Sequence, residues 1–118
     1  MSEMRQDIAG IHLIVDFWGA SNLSDVEALD SAMRDAVSCA GASLLHLHLH
    51  PFGEGQGVTG VALLSESHIS VHTWPEREYA ALDVFMCGNS DPDIAIEVLK
   101  THLRPETVFL RRVERGKH

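Results

Sequence analysis

The stretch from Gly57 to Gly88 gathers serines, histidines, acids, a tryptophan and a thiol. In an extended chain alternate residues share a face, so His68, Ser70, His72 and Trp74 point the same way. That groups a hydroxyl nucleophile, two bases and an aromatic platform. The bland alternative is three ordinary strands with polar outer faces. Ser67, His72 and Asp83 name the residue types of an acyl-transfer triad. Their context argues against hydrolysis: LSESH lacks the GxSxG elbow that exposes a serine between strand and helix, and no βαβ series surrounds it.

A second concentration is His46, His48 and His50, alternating with Leu45, Leu47 and Leu49 along LLHLHLH. Period two puts the imidazoles on one face and the leucines on the other. Three imidazoles in a row suit a metal, but a closed zinc site needs a fourth convergent ligand. The reading adopted is a polar sheet face with no metal. Cys39 and Cys87 lie far apart without CxxC spacing, which suggests neither a disulfide framework nor a cysteine zinc site. Cys39 is expected to pack with Ala36, Val37 and Ala40; Cys87 matters as a thiol.

These side chains need elements to position them. Ile11, Leu13, Val15 and Phe17 alternate with His12, Ile14, Asp16 and Trp18, as a half-buried strand requires, and Gly19 ends it. From Asp25 to Ala40, Val26, Leu29, Met33, Ala36, Val37 and Ala40 recur at helical spacing, with Ser24 and Glu27 as a capping box and Gly41 as the stop. Four strands are predicted at Ser43 to Phe52, Gly57 to Ser65, Ser67 to Trp74 and Ala80 to Cys87. Asp91 and Pro92 open a second helix whose apolar face is Ile94, Ala95, Val98 and Leu99, Pro105 stops it, and Thr107 to Val113 forms the last strand. The fold class is α/β (α+β), a two-layer sandwich with a mainly antiparallel sheet and two helices on one face. Two helices cover only one side, so the other face is partly polar or buried against a second subunit.

At 118 residues and 45% apolar the chain fits a single domain. Nine basic against seventeen acidic side chains give a net charge of −8, which repels nucleic acid and favours cationic ligands. No apolar run approaches the length of a membrane helix, and MSEMRQDIAG has no secretory apolar stretch, so a cytoplasmic protein is expected.

LSESHISVHTWPE followed by YAALDVFMCG, together with the opening HLIVDFWG, the helix after it and the GVTG turn, resembles the prokaryotic S-adenosylmethionine decarboxylase proenzymes. That family is pyruvoyl-dependent, cleaves itself within its own SES sequence and folds as a two-layer α/β sandwich. Decarboxylating an amino acid needs an electron sink that no side chain offers, hence a carbonyl cofactor made from serine. The resemblance implies that Ser67 attacks the carbonyl of Glu66 and takes its acyl group from nitrogen to oxygen. The resulting ester is lost by β-elimination, and dehydroalanine hydrolyses to pyruvoyl. The products are a β chain of residues 1–66 and an α chain of residues 67–118. The ketone then condenses with the substrate amine as a Schiff base.

By the same resemblance His72 assists the elimination, and Thr59, where a serine is usual, hydrogen-bonds the intermediate. Cys87 protonates the carbon that has lost carbon dioxide, a role suited to a weakly acidic thiol. Glu76 holds ribose hydroxyls, while Phe52 and Trp74 offer faces to an adenine or a sulfonium. Ser67 and His72, five apart, fall on opposite faces of an ideal strand, so joint action calls for a bend or bulge. PFGEGQGVTG is one residue longer than the common pattern, and with Thr59 it alters the pocket border. The same chemistry on arginine or ornithine is therefore the alternative. An uncleaved regulatory subunit is the second. The implied product is the aminopropyl donor for spermidine, and the implied assembly is a dimer of αβ units.

Overall fold

The structure is a computed structural model and describes residues 8–117. Residues 1–7, which carry most of the segment read for a leader, lie outside it. β1 (Gly10–Trp18) buries Ile11, Leu13, Val15 and Phe17 and turns His12, Ile14, Asp16 and Trp18 the other way. The same parity runs through β3 (Val58–Leu64), β4 (Ser67–Trp74) and β5 (Tyr79–Met86). β2 (Leu44–Pro51) and β6 (Thr107–Arg115) form the edges of one six-stranded sheet in the order β2-β3-β4-β5-β1-β6, every neighbour antiparallel. β1 and β5, far apart in sequence, thus lie side by side inside the sheet.

Helices α1 (Val26–Cys39) and α2 (Pro92–Leu103) cover the face that carries Leu13, Val15, Phe17, Ile69, Val71 and Val84. Each large core side chain buried there contributes roughly 1.5–3 kcal/mol relative to leaving it in water. The expected two-layer sandwich is what the chain forms.

Local signals differ from expectation at four places. The α1 cap is Asp25, not a Ser24–Glu27 box: Asp25 is extended, and its Oδ1 accepts the Ala28 N–H at 3.1 Å. The stop at Gly41 is as expected, with φ +79° and the N–H groups of Gly41 and Ala42 donating to the carbonyls of Ser38 and Val37, a Schellman closure. On α2 the buried side chains are Pro92, Ala95, Ile96, Leu99 and Leu103, while Ile94 is exposed, so the apolar stripe is rotated about a quarter turn from the expected one. Leu47 and Leu49 pack on the core, but a register shift between Leu44 and His46 leaves Leu45 exposed. Cys39, expected in the core, is exposed, because the buried α1 face runs through Ala36, Val37 and Ala40 and passes it by.

The uncovered face carries exposed Ile14, Leu63 and Phe109 among polar groups. Among the described residues no helix is long and apolar enough to cross a membrane.

Thr73 is the buried polar residue that ties this frame together. Its Oγ1 accepts the Val58 N–H at 2.9 Å and donates to the Leu23 carbonyl at 2.6 Å, joining β4, β3 and the loop before α1. Thr73→Val keeps the shape but strands a buried N–H and a carbonyl, so it is expected to cost about 1–3 kcal/mol, read as a lowered urea midpoint.

Candidate active site

The open face can be read row by row from the pairing. Thr59, His72, Ala81 and Asp16 lie across one row, Val61, Ser70, Asp83 and Ile14 across the next, and Leu63, His68, Phe85 and His12 across a third. Three groups of side chains stand out on this lattice and at its end.

The first is at the β3–β4 hairpin. Leu64 pairs with Ser67, leaving Ser65 and Glu66 as the turn. Glu66 has φ +64°, a left-handed conformation that costs a non-glycine residue about 1 kcal/mol or more. The Cys87 thiol, just beyond β5, donates to the Glu66 carbonyl oxygen at 3.5 Å. Its sulfur is 3.8 Å from Ser67 Oγ and 3.7 Å from Glu66 Oε1. Hydroxyl, thiol and the peptide carbonyl preceding the hydroxyl therefore meet at one point.

The second is at the opposite end of β4. Thr59 Oγ1 and His72 Nδ1, facing each other across the β3–β4 ladder, are 3.3 Å apart. They line a cleft of about 350 Å³ with Phe52, Gln56, Trp74 and Glu76, near the lower limit for a small-molecule site. Gly57 belongs to the same wall and passes so close to the β4 backbone that a Cβ there would lie 2.3 Å from the Thr73 carbonyl oxygen. Pro75–Arg77 forms a 3-10 turn that carries the exposed Glu76. From Trp74 an aromatic ladder continues to Tyr79 (5.3 Å between centroids) and Trp18 (4.3 Å), with the Arg77 guanidinium 5.6 Å from the Trp18 ring. Burial, and then the bond its hydroxyl donates to Asp16 at 2.5 Å, push the Tyr79 pKa up to about 12.

The third centres on Asp83. Its Oδ2 lies 2.6 Å from His12 Nε2 and 2.6 Å from His68 Nε2, and Ser70 donates to Oδ1. Arg115 is 2.9 Å from His12 Nδ1. A guanidinium only donates, so that nitrogen accepts and His12 carries its proton on Nε2, directed at Asp83. Burial pushes the Asp83 carboxyl up, but hydrogen bonds from Ser70, His12 and His68 and the charge of His68 outweigh it, and the group titrates below the usual aspartate range.

Of the expected site residues, Ser67, Glu66 and Cys87 come together, as do Thr59, His72, Trp74, Glu76 and Phe52. The two sets do not meet. β4 runs unbroken from Ser67 to Trp74 with no register shift, so the expected bend is absent. Five residues of extended strand separate Ser67 from His72 by about 16 Å. The Ser67–His72–Asp83 triad is likewise not assembled, since Asp83 belongs to His12, His68 and Ser70. His12 and its role were not legible, because only the adjacency of β1 and β5 brings it to Asp83. His46, His48 and His50 stand exposed on edge strand β2 with ring centroids 6.4 and 6.5 Å apart. Among the described residues, the convergent group with three potential metal ligands is instead His12, His68 and Asp83.

Comparison with known proteins agrees with this architecture. A family model described as S-adenosylmethionine decarboxylase matches residues 11–116. A protein of Thermomicrobium roseum named S-adenosylmethionine decarboxylase proenzyme is 46% identical over 108 residues, covering 91% of this chain and 93% of its own. A protein of Brevibacillus brevis with the same name is 42% identical over 116 residues, covering 96% and 86%. The crystal structure of the adenosylmethionine decarboxylase from Aquifex aeolicus superposes with a TM-score of 0.85 at 33% identity, covering 95% of this chain and 94% of that one.

Proposed function

The chain belongs to the S-adenosylmethionine decarboxylase family, and we propose that it decarboxylates S-adenosylmethionine with a pyruvoyl group made from its own Ser67. The product would be the aminopropyl donor for spermidine synthesis. The observation that carries this reading is the contact of the Cys87 thiol with both the Glu66 carbonyl oxygen, at 3.5 Å, and Ser67 Oγ, at 3.8 Å.

In the uncut chain that thiol faces the oxygen that gains negative charge when Ser67 Oγ attacks the Glu66 carbonyl carbon. Donors aimed at such an oxygen lower the barrier. The left-handed Glu66 adds strain that cleavage releases. The peptide C–N bond breaks as the ester C–O bond forms. Loss of the Ser67 α-proton then expels Glu66 as a carboxylate and leaves dehydroalanine at residue 67, and water replaces its nitrogen, which departs as ammonia. The finished pyruvoyl group supplies the electron sink for the pair released with carbon dioxide.

The chain's own residues do the rest. Cys87, beside residue 67, holds the proton needed at the substrate carbon. Phe52 and Trp74 offer flat faces to the adenine and its cationic sulfur. Glu76 is free to accept from ribose hydroxyls. His72, held by Thr59, is the proton carrier of processing.

Because the hairpin and the cleft are about 16 Å apart along β4, the reading requires two chains. The exposed Ile14, Leu63 and Phe109 of the open face support such an assembly. Open face against open face, each cleft would serve the partner's hairpin.

A denaturing intact mass is the test. Two fragments, 1–66 and 67–118, the second with pyruvoyl in place of serine, together with carbon dioxide released from S-adenosylmethionine, are expected. One intact chain, or release from arginine or ornithine alone, would overturn it. Cys87→Ala is expected to leave a chain that still cleaves but decarboxylates about 10²-fold or more slowly. Normal turnover would remove Cys87 from the proton-donor role.

A further inference from the structure

We propose that the His68–Asp83 pair is the anchor that holds the new chain terminus, and with it the group at residue 67, in place after self-cleavage. The inference rests on the cleavage reading above but concerns residues to which that reading gives no role.

Before the cut, Ser67 is fixed from both sides: by its peptide bond to Glu66, and by the hairpin pair Leu64–Ser67. Ser65 is tied independently to the residue that leads into β2, its N–H donating to the Ser43 carbonyl at 3.1 Å. After the cut the 1–66 piece keeps that tie. The 67–118 piece begins with a residue that has lost its covalent neighbour and its backbone nitrogen, and a free strand end frays unless something holds it.

His68 is the first residue of that piece paired on both sides, with Leu63 in β3 and Phe85 in β5. Its side chain is held as well, with Nε2 2.6 Å from Asp83 Oδ2 and the ring 6.2 Å from that of Phe85. The carboxylate is itself fixed from both neighbouring strands, by His12 on β1 and Ser70 on β4. A charge-assisted bond to a carboxylate that is already immobilised orders its donor at small further entropic cost. The next open-face side chains on β4, Ser70 and His72, lie too far along to restrain residue 67. His68 and Asp83 are thus positioning residues, not catalytic ones.

The requirement exists only once the chain is cut, and that separates the anchor from ordinary fold stability. The measurement is amide hydrogen exchange in the peptide that begins β4, beside intact mass and turnover, on six proteins: wild type, His68→Leu, His68→Gln, His12→Leu, the uncuttable Ser67→Ala chain, and His68→Leu made in that chain. His68→Leu is expected to cleave to completion, to exchange its first β4 amides about tenfold faster or more, and to lose kcat by a comparable factor with KM little changed. His68→Gln, which keeps a donor for Asp83, should restore most of both. His12→Leu removes a bond to the same carboxylate oxygen but none to the terminus, and should leave β4 exchange within about threefold of wild type. In the Ser67→Ala chain, His68→Leu should change exchange hardly at all.

The anchor is overturned if His68→Leu exchanges and turns over like wild type after cleavage, or if His12→Leu is equally severe. It is also overturned if exchange rises as much in the uncut chain, which would make the pair a plain structural tie. A wild-type chain that never cleaves would instead overturn the self-processing reading, and the anchor with it.

Discussion

Ser67→Ala is expected to yield a single uncut chain with no decarboxylase activity. The hydroxyl is the sole nucleophile adjoining the Glu66 carbonyl that has the geometry of an acyl shift onto its own residue, and alanine has nothing to put in its place. Cys87 touches the same carbonyl oxygen, but a thiol from just beyond β5 attacking there would join that segment to the β3–β4 turn through a thioester and would not leave a ketone at residue 67. The loss should therefore be complete, reaching background in a carbon dioxide release assay. The fold should be indifferent, because the side-chain contact of Ser67 is the weak 3.8 Å approach to a sulfur, and surface changes of this kind stay within about 0.5 kcal/mol. An intact mass equal to the full chain with an unchanged urea midpoint would localise the defect to chemistry. Carbon dioxide release surviving in this variant would place the electron sink elsewhere.

Much of the architecture is written in the parity of side chains. β1 is legible because Ile11, Leu13, Val15 and Phe17 are all apolar while His12 and Asp16 between them are not, and this alternation is what a sheet covered on one face demands. The α2 start is legible because Asp91 and Pro92 each have a local reason to be there: the carboxylate accepts from the N–H groups of Asp93 and Ile94, and the proline has no N–H to lose. The α1 start was less so, since Ser24 and Asp25 both cap well and the choice turns on which residue is extended. What sequence cannot carry is which strand lies beside which. The insertion of β1 between β5 and β6 brings His12 to Asp83 across 71 positions, and no local pattern announces it. The bulge that exposes Leu45 is likewise a property of pairing, invisible in the alternation from Leu45 to His50. The two halves of the site were legible as residue types, yet their separation was not, because a bend in β4 and a second chain are equally good ways to bring His72 to Ser67. The unbroken β4 ladder favours the second.

That choice leads to the experiment with the largest contrast. His72→Ala alone should stall cleavage, since its imidazole is the one hydrogen-bonded to Thr59 Oγ1, at 3.3 Å, and Ser67→Ala alone should abolish it. If each site takes its hairpin from one chain and its cleft from the other, the two defective chains repair each other. In a two-fold dimer the mixed species holds one site with both defects and one with neither. Random reassociation of equal amounts makes half the dimers mixed, so activity should recover to roughly a quarter of wild type. Only the His72→Ala chains should be cut, because they carry the intact Ser67, and the mass of the processed fragment identifies them. If hairpin and cleft belonged to the same chain, no mixture could contain an intact site and activity would stay at the level of the separate variants. A shortfall with cleavage but no turnover would carry a different meaning: His72 would act in trans during processing while the substrate cleft is completed within one chain. The 16 Å between Ser67 and His72, about five strand residues, makes that outcome the costly one. It would require β4 to break its pairing with both β3 and β5, the ladders that now hold the hairpin in place.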